Sequence, residues 1–201
     1  MGFFDFLFPP RADEAVLRGI PADDFLALIA PRLVPETRPG TTALLPFSNP
    51  AVRAAIHEAK YHGSERAFGL LSSVLADYIR DMDERQKGPV LVPVPLGNIR
   101  LRERGFNQVE EIAQRTAREL DLIVDSGLLI RTRETATQVS LPRHEREKNM
   151  RNAFAAAKRA DPSYTYIIVD DVLTTGATLQ AALAALTDAG AAHIIPLALA
   201  H

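Results

Sequence analysis

The sequence predicts an α/β fold: a mostly parallel central sheet flanked by helices, with a small helical and loop flap at the N-terminus. Three observations predict it. Short unbroken apolar runs, Val90-Leu91-Val92 and Tyr166-Ile167-Ile168-Val169, have the composition of parallel strands buried on both faces. Stretches with apolar residues at helical spacing separate such runs, so strand and helix alternate. Prolines at 9, 10, 21, 31, 35, 39, 46 and 50, more than half of the 14 in the chain, crowd the first quarter and forbid long elements there.

Residues 1–41 accordingly read as short helices and turns, a flap or hood-like segment beside a body spanning 42–201. Phe3, Phe4, Phe6 and Phe8 are expected to pack onto the domain or onto a partner subunit. Thr42–Phe47 predicts an edge strand. Asn49 followed by Pro50 reads as an N-cap and first helical residue, and Gly63 closes the helix after Val52, Ala55, Ile56 and Ala59. A second helix from about Ser64 sets Ala67, Leu71, Val74, Leu75 and Tyr78 on one face. Beyond the strand at 90–92, Asn107 with Glu110 three residues later marks a helix start. Val109, Ile112, Ala113, Ala117 and Leu120 form its apolar face. Leu128–Ile130 and Tyr166–Val169 are further strands. A helix from Thr178 carries Leu179, Ala182, Leu183 and Leu186 and stops near Gly190; His193–Leu199 is the last strand.

Composition narrows the function. The 201 residues suit one domain, and 47% apolar with 24% charged residues excludes a disordered chain. A formal net charge of −2 argues against non-specific nucleic-acid binding as the main activity. The absence of Cys excludes disulfides, thiolate metal sites and Cys nucleophiles. His57, His62, His144, His193 and His201 show no metal-ligand spacing and are expected in surface or packing roles. No run reaches the ~20 apolar residues of a membrane span. Asp5 and the lack of a basic lead-in speak against a signal peptide, and Phe6 stands where a myristoylation pattern has Ser or Thr. A cytoplasmic protein without a membrane partner is the expectation.

The chemistry concentrates in Tyr166-Ile167-Ile168-Val169-Asp170-Asp171-Val172-Leu173-Thr174-Thr175-Gly176-Ala177-Thr178. An apolar strand ends in two carboxylates, a Thr/Gly loop follows, and a helix begins at once. Open α/β sheets bind ligands at that edge. Backbone N–H groups of Thr174, Thr175, Gly176, Ala177 and Thr178, with the helix N-terminus behind them, form an anion cradle. Asp170 and Asp171 suit a sugar's vicinal hydroxyls, so the stretch reads as a grip for ribose 5-phosphate. No Lys follows the Gly, which excludes a Walker loop. Taken singly, the two carboxylates would equally serve as helix caps.

This stretch resembles the PRPP-binding signature of type I phosphoribosyltransferases (PRPP, phosphoribosyl pyrophosphate). Further runs resemble the ComF/GntX-like, amidophosphoribosyltransferase-related branch. They are Val92-Pro93-Val94-Pro95-Leu96 with Arg100, Arg104-Gly105-Phe106-Asn107-Gln108, Lys60-Tyr61-His62-Gly63, Arg131-Thr132-Arg133-Glu134-Thr135 with Gln138, and Glu145-Arg146 with Asn149 and Phe154. The match covers about residues 42–199. Many relatives begin with a Cys-rich metal ribbon, which this chain has no Cys to build.

The resemblance implies a type I phosphoribosyltransferase-like fold with Asp170 and Asp171 on the ribose hydroxyls and residues 174–178 on the 5-phosphate. It implies pyrophosphate binding by Pro93, Val94, Pro95, Arg100, Arg104 and Lys60, Arg104 acting in catalysis beside the two aspartates. Arg131, Arg133, Gln138 and Arg146 would lie on a loop closing over PRPP. The blander readings stand beside these: a solvated arginine run, Asn107 as N-cap only, Lys60 as a helix-end dipole partner. The implied reaction displaces pyrophosphate, carried with Mg²⁺, by a base, an amine or water. The alternatives are a non-catalytic PRPP or nucleotide binder in DNA uptake, working with competence proteins, and a subunit docked through its N-terminal Phe cluster, for instance in a homodimer.

Overall fold

The computed structural model describes residues 11–82, 88–133 and 152–201. The N-terminal part holds helices α1 (Ala12–Gly19) and α2 (Ala22–Leu26) and strands β1 (Arg32–Val34) and β2 (Thr41–Leu45). Helices α3 (Pro50–His62) and α4 (Glu65–Arg80) lead to β3 (Pro89–Pro93), then α5 (Asn98–Arg104), α6 (Gln108–Leu120) and β4 (Ile123–Val124). The last part comprises β5 (Leu129–Arg131), β6 (Phe154–Ala156), β7 (Thr165–Val172), α7 (Ala177–Asp188) and β8 (His193–Ala200). Six strands form one sheet in the order β1-β2-β8-β7-β3-β4, in which only the β1–β2 pairing is antiparallel.

The pleat of β7 decides the layering. Tyr166 to Val169 are all buried, and successive side chains point to opposite faces. Ile167 and Val169 join Leu91, Leu197 and Leu199 in a core closed by α3, α4 and α6. Tyr166 and Ile168 join Val90, Val92 and Ala198 in a second core closed by α7 and the small β5–β6 sheet. A strand with no wet face must be apolar throughout, which is why these runs do not alternate.

The helix ends follow the sequence signals. Asn49 Oδ1 accepts from Ala51 N at 2.8 Å, Ser64 Oγ accepts from Ala67 N, and Gly63 closes α3 at φ 57°. Asn107 Oδ1 accepts from Val109 N, while its Nδ2 donates to Val94 O at 3.0 Å.

Several expectations change. Thr42–Phe47 is not an edge, because β1, a strand within the proline-rich region, pairs with β2 and leaves it inside the sheet. The solvated arginine run takes the form of a helix, α5, with no buried residue and capped by Gly105 at φ 79°. Leu128–Ile130 does not enter the main sheet; β5 pairs antiparallel with β6, and β4 takes the place beside β3. Strand β7 continues through both aspartates to Val172. Leu17 and Phe25, from α1 and α2, are fully buried in the core of α3 and α4, so these helices and the body share one interior. Among the described residues no helix is long and apolar enough to cross a membrane.

Candidate functional site

The register of β3 on β7 brings their carboxyl ends together: Pro93 lies opposite Val169, and Val94 N donates to Val169 O at 2.9 Å. The pleat then sends Asp170 and Asp171 to opposite faces of the sheet. On one face the Asp171 carboxylate meets Lys60 Nζ of α3 at 3.0 Å through Oδ1. Its Oδ2 accepts from Gln108 Nε2 of α6. Gln108 Oε1 in turn accepts from Arg104 Nη1 at 3.0 Å, and the Arg104 guanidinium lies 4.9 Å from the centroid of the Tyr61 ring. Lys60, Asp171, Gln108, Arg104 and Tyr61 thus form one chain of polar contacts across α3, β7, α6 and α5. Lys60 and Asp171 keep about a fifth and a seventh of their side-chain surface in solvent (21% and 15%), enough for a ligand to reach them.

Gln108 is the functional candidate that sequence reasoning passed over. It stands four residues before Ile112, on the buried face of α6, and is itself buried. A polar side chain in that position must find a buried partner, and this was the signal available.

Asp170, toward the other face, accepts from the Asp171 N–H through Oδ1 at 2.9 Å. Burial, and after it the neighbouring Asp171 charge, raise its carboxyl to about 7, against the lowering effect of the bond from the Asp171 N–H and of the Lys60 and Arg131 charges. Arg131, at the end of β5, therefore acts on Asp170 through space. It also stacks over the Phe154 ring, 5.4 Å from its centroid, and donates from Nε to the Arg133 carbonyl. Arg133 is exposed. Gln138 and Arg146 lie outside the described residues, as do Phe3, Phe4, Phe6 and Phe8.

The loop expected to cradle an anion forms a tight turn from β7 into α7. Gly176 caps α7 at φ 73°, Thr175 Oγ1 accepts from Ala177 N at 3.4 Å, and Thr174 is exposed. Thr178 falls in the first turn of α7, where the leading N–H groups have no intrahelical acceptor. A Cβ on Gly176 would stand 3.0 Å from Glu36 Cβ and 3.0 Å from Thr37 Cγ2. The turn between β1 and β2 is therefore pressed against the loop, and Arg38 N donates to Gln180 Oε1 of α7 at 2.8 Å.

Across from the loop, the turn after β3 contributes shape more than donors. Pro93 and Pro95 have no N–H, and that of Val94 is used by Val169. Positive charge comes from Lys60 and Arg104, with Arg100 one helical turn before Arg104 on the same side of α5. A depression of about 270 Å³ at the opposite, amino edge of the sheet is lined by Thr165, Ala192, His193, Ile194 and Ile195. It has no carboxylate pair or anion loop.

No protein-family model matches the chain. The DNA utilization protein YhgH of Escherichia coli is 35% identical over 148 residues, which is 72% of this chain and 65% of that protein. Competence protein F of Haemophilus influenzae is 38% identical over 92 residues (45% of this chain, 40% of that protein), and competence protein ComFC of Streptococcus pneumoniae is 31% identical over 126 residues (62% and 54%). The chain thus spans less than two thirds of the length of these relatives. Among solved structures, the adenine phosphoribosyltransferases of Leishmania tarentolae and Leishmania donovani align with 67% and 70% of the chain, and with 57% and 54% of their own. Their identities are 18% and 17% and their TM-scores 0.37 and 0.40, a partial likeness.

Proposed function

The chain belongs to the ComF-like family of competence and DNA-utilization proteins, and from that premise we propose that its carboxyl-edge site binds Mg²⁺-carrying PRPP and passes the phosphoribosyl group to a base or amine. The observation that carries the reading is the pairing of opposites at one sheet edge. An anion loop and two carboxylates stand at the end of β7, and Lys60 and Arg104 are tied to Asp171 directly and through Gln108. The 5-phosphate takes the N–H groups and hydroxyls of residues 174–178. The ribose hydroxyls take Asp170 and Asp171. The pyrophosphate takes Lys60, Arg104 and Arg100, guanidinium forks being well matched to its oxygens.

In the transfer, the bond between the anomeric carbon and the pyrophosphate oxygen breaks as a bond to the acceptor nitrogen forms. Negative charge grows on the leaving group, where the basic side chains stabilise it. Positive charge grows on the ribose, beside the aspartates. Mg²⁺ would arrive with the substrate and help neutralise the leaving group; of the two carboxylates at the site, Asp171 is already paired with Lys60 and Asp170 accepts from the Asp171 N–H, so the ion would take its ligands largely from water and substrate phosphates.

The test is a phosphorus NMR time course of PRPP with Mg²⁺ and catalytic amounts of protein, against a pool of free nucleobases and simple amines. Pyrophosphate released with one acceptor alone establishes the transferase. Broadened PRPP signals that persist favour the second reading, a binding protein of DNA uptake, which the competence and DNA-utilization names of the relatives support. Unperturbed PRPP signals overturn both.

A further inference from the structure

The last two turns of α3 carry a second cluster, built from side chains that make no contact with Asp171, and it is independent of the PRPP reading. His57, Glu58 and His62 each present a donor atom within 4.8 Å of the others. Glu58 is fully buried, and its Oε1 lies 3.9 Å from His62 Nε2. His57 and His62 hold their rings with centroids 5.7 Å apart. The Nδ1 of His57 lies 2.9 Å from Asp13 Oδ2 of α1. A carboxylate on Nδ1 fixes the tautomer that leaves Nε2 able to bind a metal, the outer-shell arrangement usual for ligating histidines.

We propose that His57, Glu58 and His62 form a binding site for a zinc-class divalent ion, with Asp13 orienting His57 from outside the ligand set. Two imidazoles and one carboxylate suit zinc, with a water or an external donor in the fourth position. The donor atoms, up to 4.8 Å apart, need to close by up to about 1.5 Å to reach the ~3.3 Å spacing of ligands around a tetrahedral ion. His57 and His62, half-exposed and a third exposed, have room to do so.

Arg11 does not forbid the ion. Its guanidinium forks onto Glu58, Nε to Oε1 at 2.9 Å and Nη2 to Oε2 at 2.6 Å. A carboxylate has about four lone-pair sites and the fork uses two. Three carboxylates (Asp13, Glu14, Glu58) face two guanidiniums (Arg11, Arg18) around the cluster, so neutral imidazoles leave a net negative surrounding. The ion would join α1 to the C-terminal turn of α3, the turn that also carries Lys60 and Tyr61.

The experiment is calorimetric titration of ZnCl₂ into the untagged, chelator-treated full chain at pH 7.5, with the same titration of His57→Gln, His62→Gln and Asp13→Asn. One equivalent bound with a Kd below about 10 μM is expected, with the affinity lowered at least ~100-fold by either His substitution and about 10-fold by Asp13→Asn. Both histidines are at the surface, so these variants keep the fold, which their unfolding curves verify without metal. Binding weaker than about 10 μM overturns the site, and so does equal affinity in His62→Gln. The result is read apart from the PRPP titration through His62→Gln and Asp13→Asn, because of the three ligands only His57 packs on a residue of the candidate site, its ring 4.8 Å from that of Tyr61.

Discussion

Gly176 shows how one residue can be required twice. Its φ of 73° strains any side chain, and Glu36 and Thr37 fill the place a Cβ would take. Gly176→Ala is expected to cost about 2–4 kcal/mol in denaturant unfolding, the sum of backbone strain and overpacking. Asp170 bears on stability through its charge state. Its carboxyl, raised to about 7, stays protonated in the folded protein over a range where the unfolded chain is ionised. The folded state therefore loses stability as pH climbs from about 4 to about 7, and the loss is constant above that. Asp170→Asn removes the penalty: it should stabilise the protein at pH 8, by about 1 kcal/mol after allowance for solvent screening, and leave it unchanged at pH 4. Thermal melts at the two pH values check this; equal shifts at both would show that Asp170 is ionised throughout.

At the scale of elements, α6 is the hub of the site. Its N-cap Asn107 holds the helix start with one atom and the buried Val94 carbonyl with another. Asn107→Ala should therefore cost about 2 kcal/mol, more than a surface cap, because it also strands that carbonyl. The next residue, Gln108, links Asp171 to Arg104, and Gln108→Leu keeps the volume while deleting both bonds. If the site holds PRPP as proposed, titration should show about tenfold weaker binding of PRPP and a smaller loss for ribose 5-phosphate, which lacks the group Arg104 would hold. Equal loss for both ligands would separate Arg104 from the pyrophosphate. The elements themselves were largely legible. Asn49-Pro50, Ser64, Gly63 and Asn107 mark helix ends through short-range bonds that depend on neighbours within five residues. The helix α5 was not legible, because Asn98–Arg104 buries none of its residues and so carries no apolar stripe.

At the scale of the molecule, the N-terminal helices belong to the same interior as the sheet. Phe25→Ala should cost about 3–5 kcal/mol and shift one cooperative unfolding transition as a whole. Two transitions, with only the first moved, would mean that residues 11–34 fold as a unit of their own. The turn at Glu36–Arg38 carries this continuity to the anion loop, since it packs on Gly176 and bonds Gln180. A chain segment that reads as loose, proline-broken material thus forms one wall of the candidate site.

What the sequence determined by itself is local or periodic: parallel strands from unbroken apolar runs, helices from caps and stripes, and the aspartate pair with its Thr-Thr-Gly loop as one continuous stretch. These signals survive in one dimension because their physics acts over a few residues. Only the tertiary structure decided that β1 shields β2, that β5 leaves the main sheet for β6, and that Lys60, Gln108 and Asp171 meet across gaps of 48 and 63 residues along the chain. Such contacts depend on register and on which face a pleat presents, and a single residue of slip would send Asp171 to the other side of the sheet.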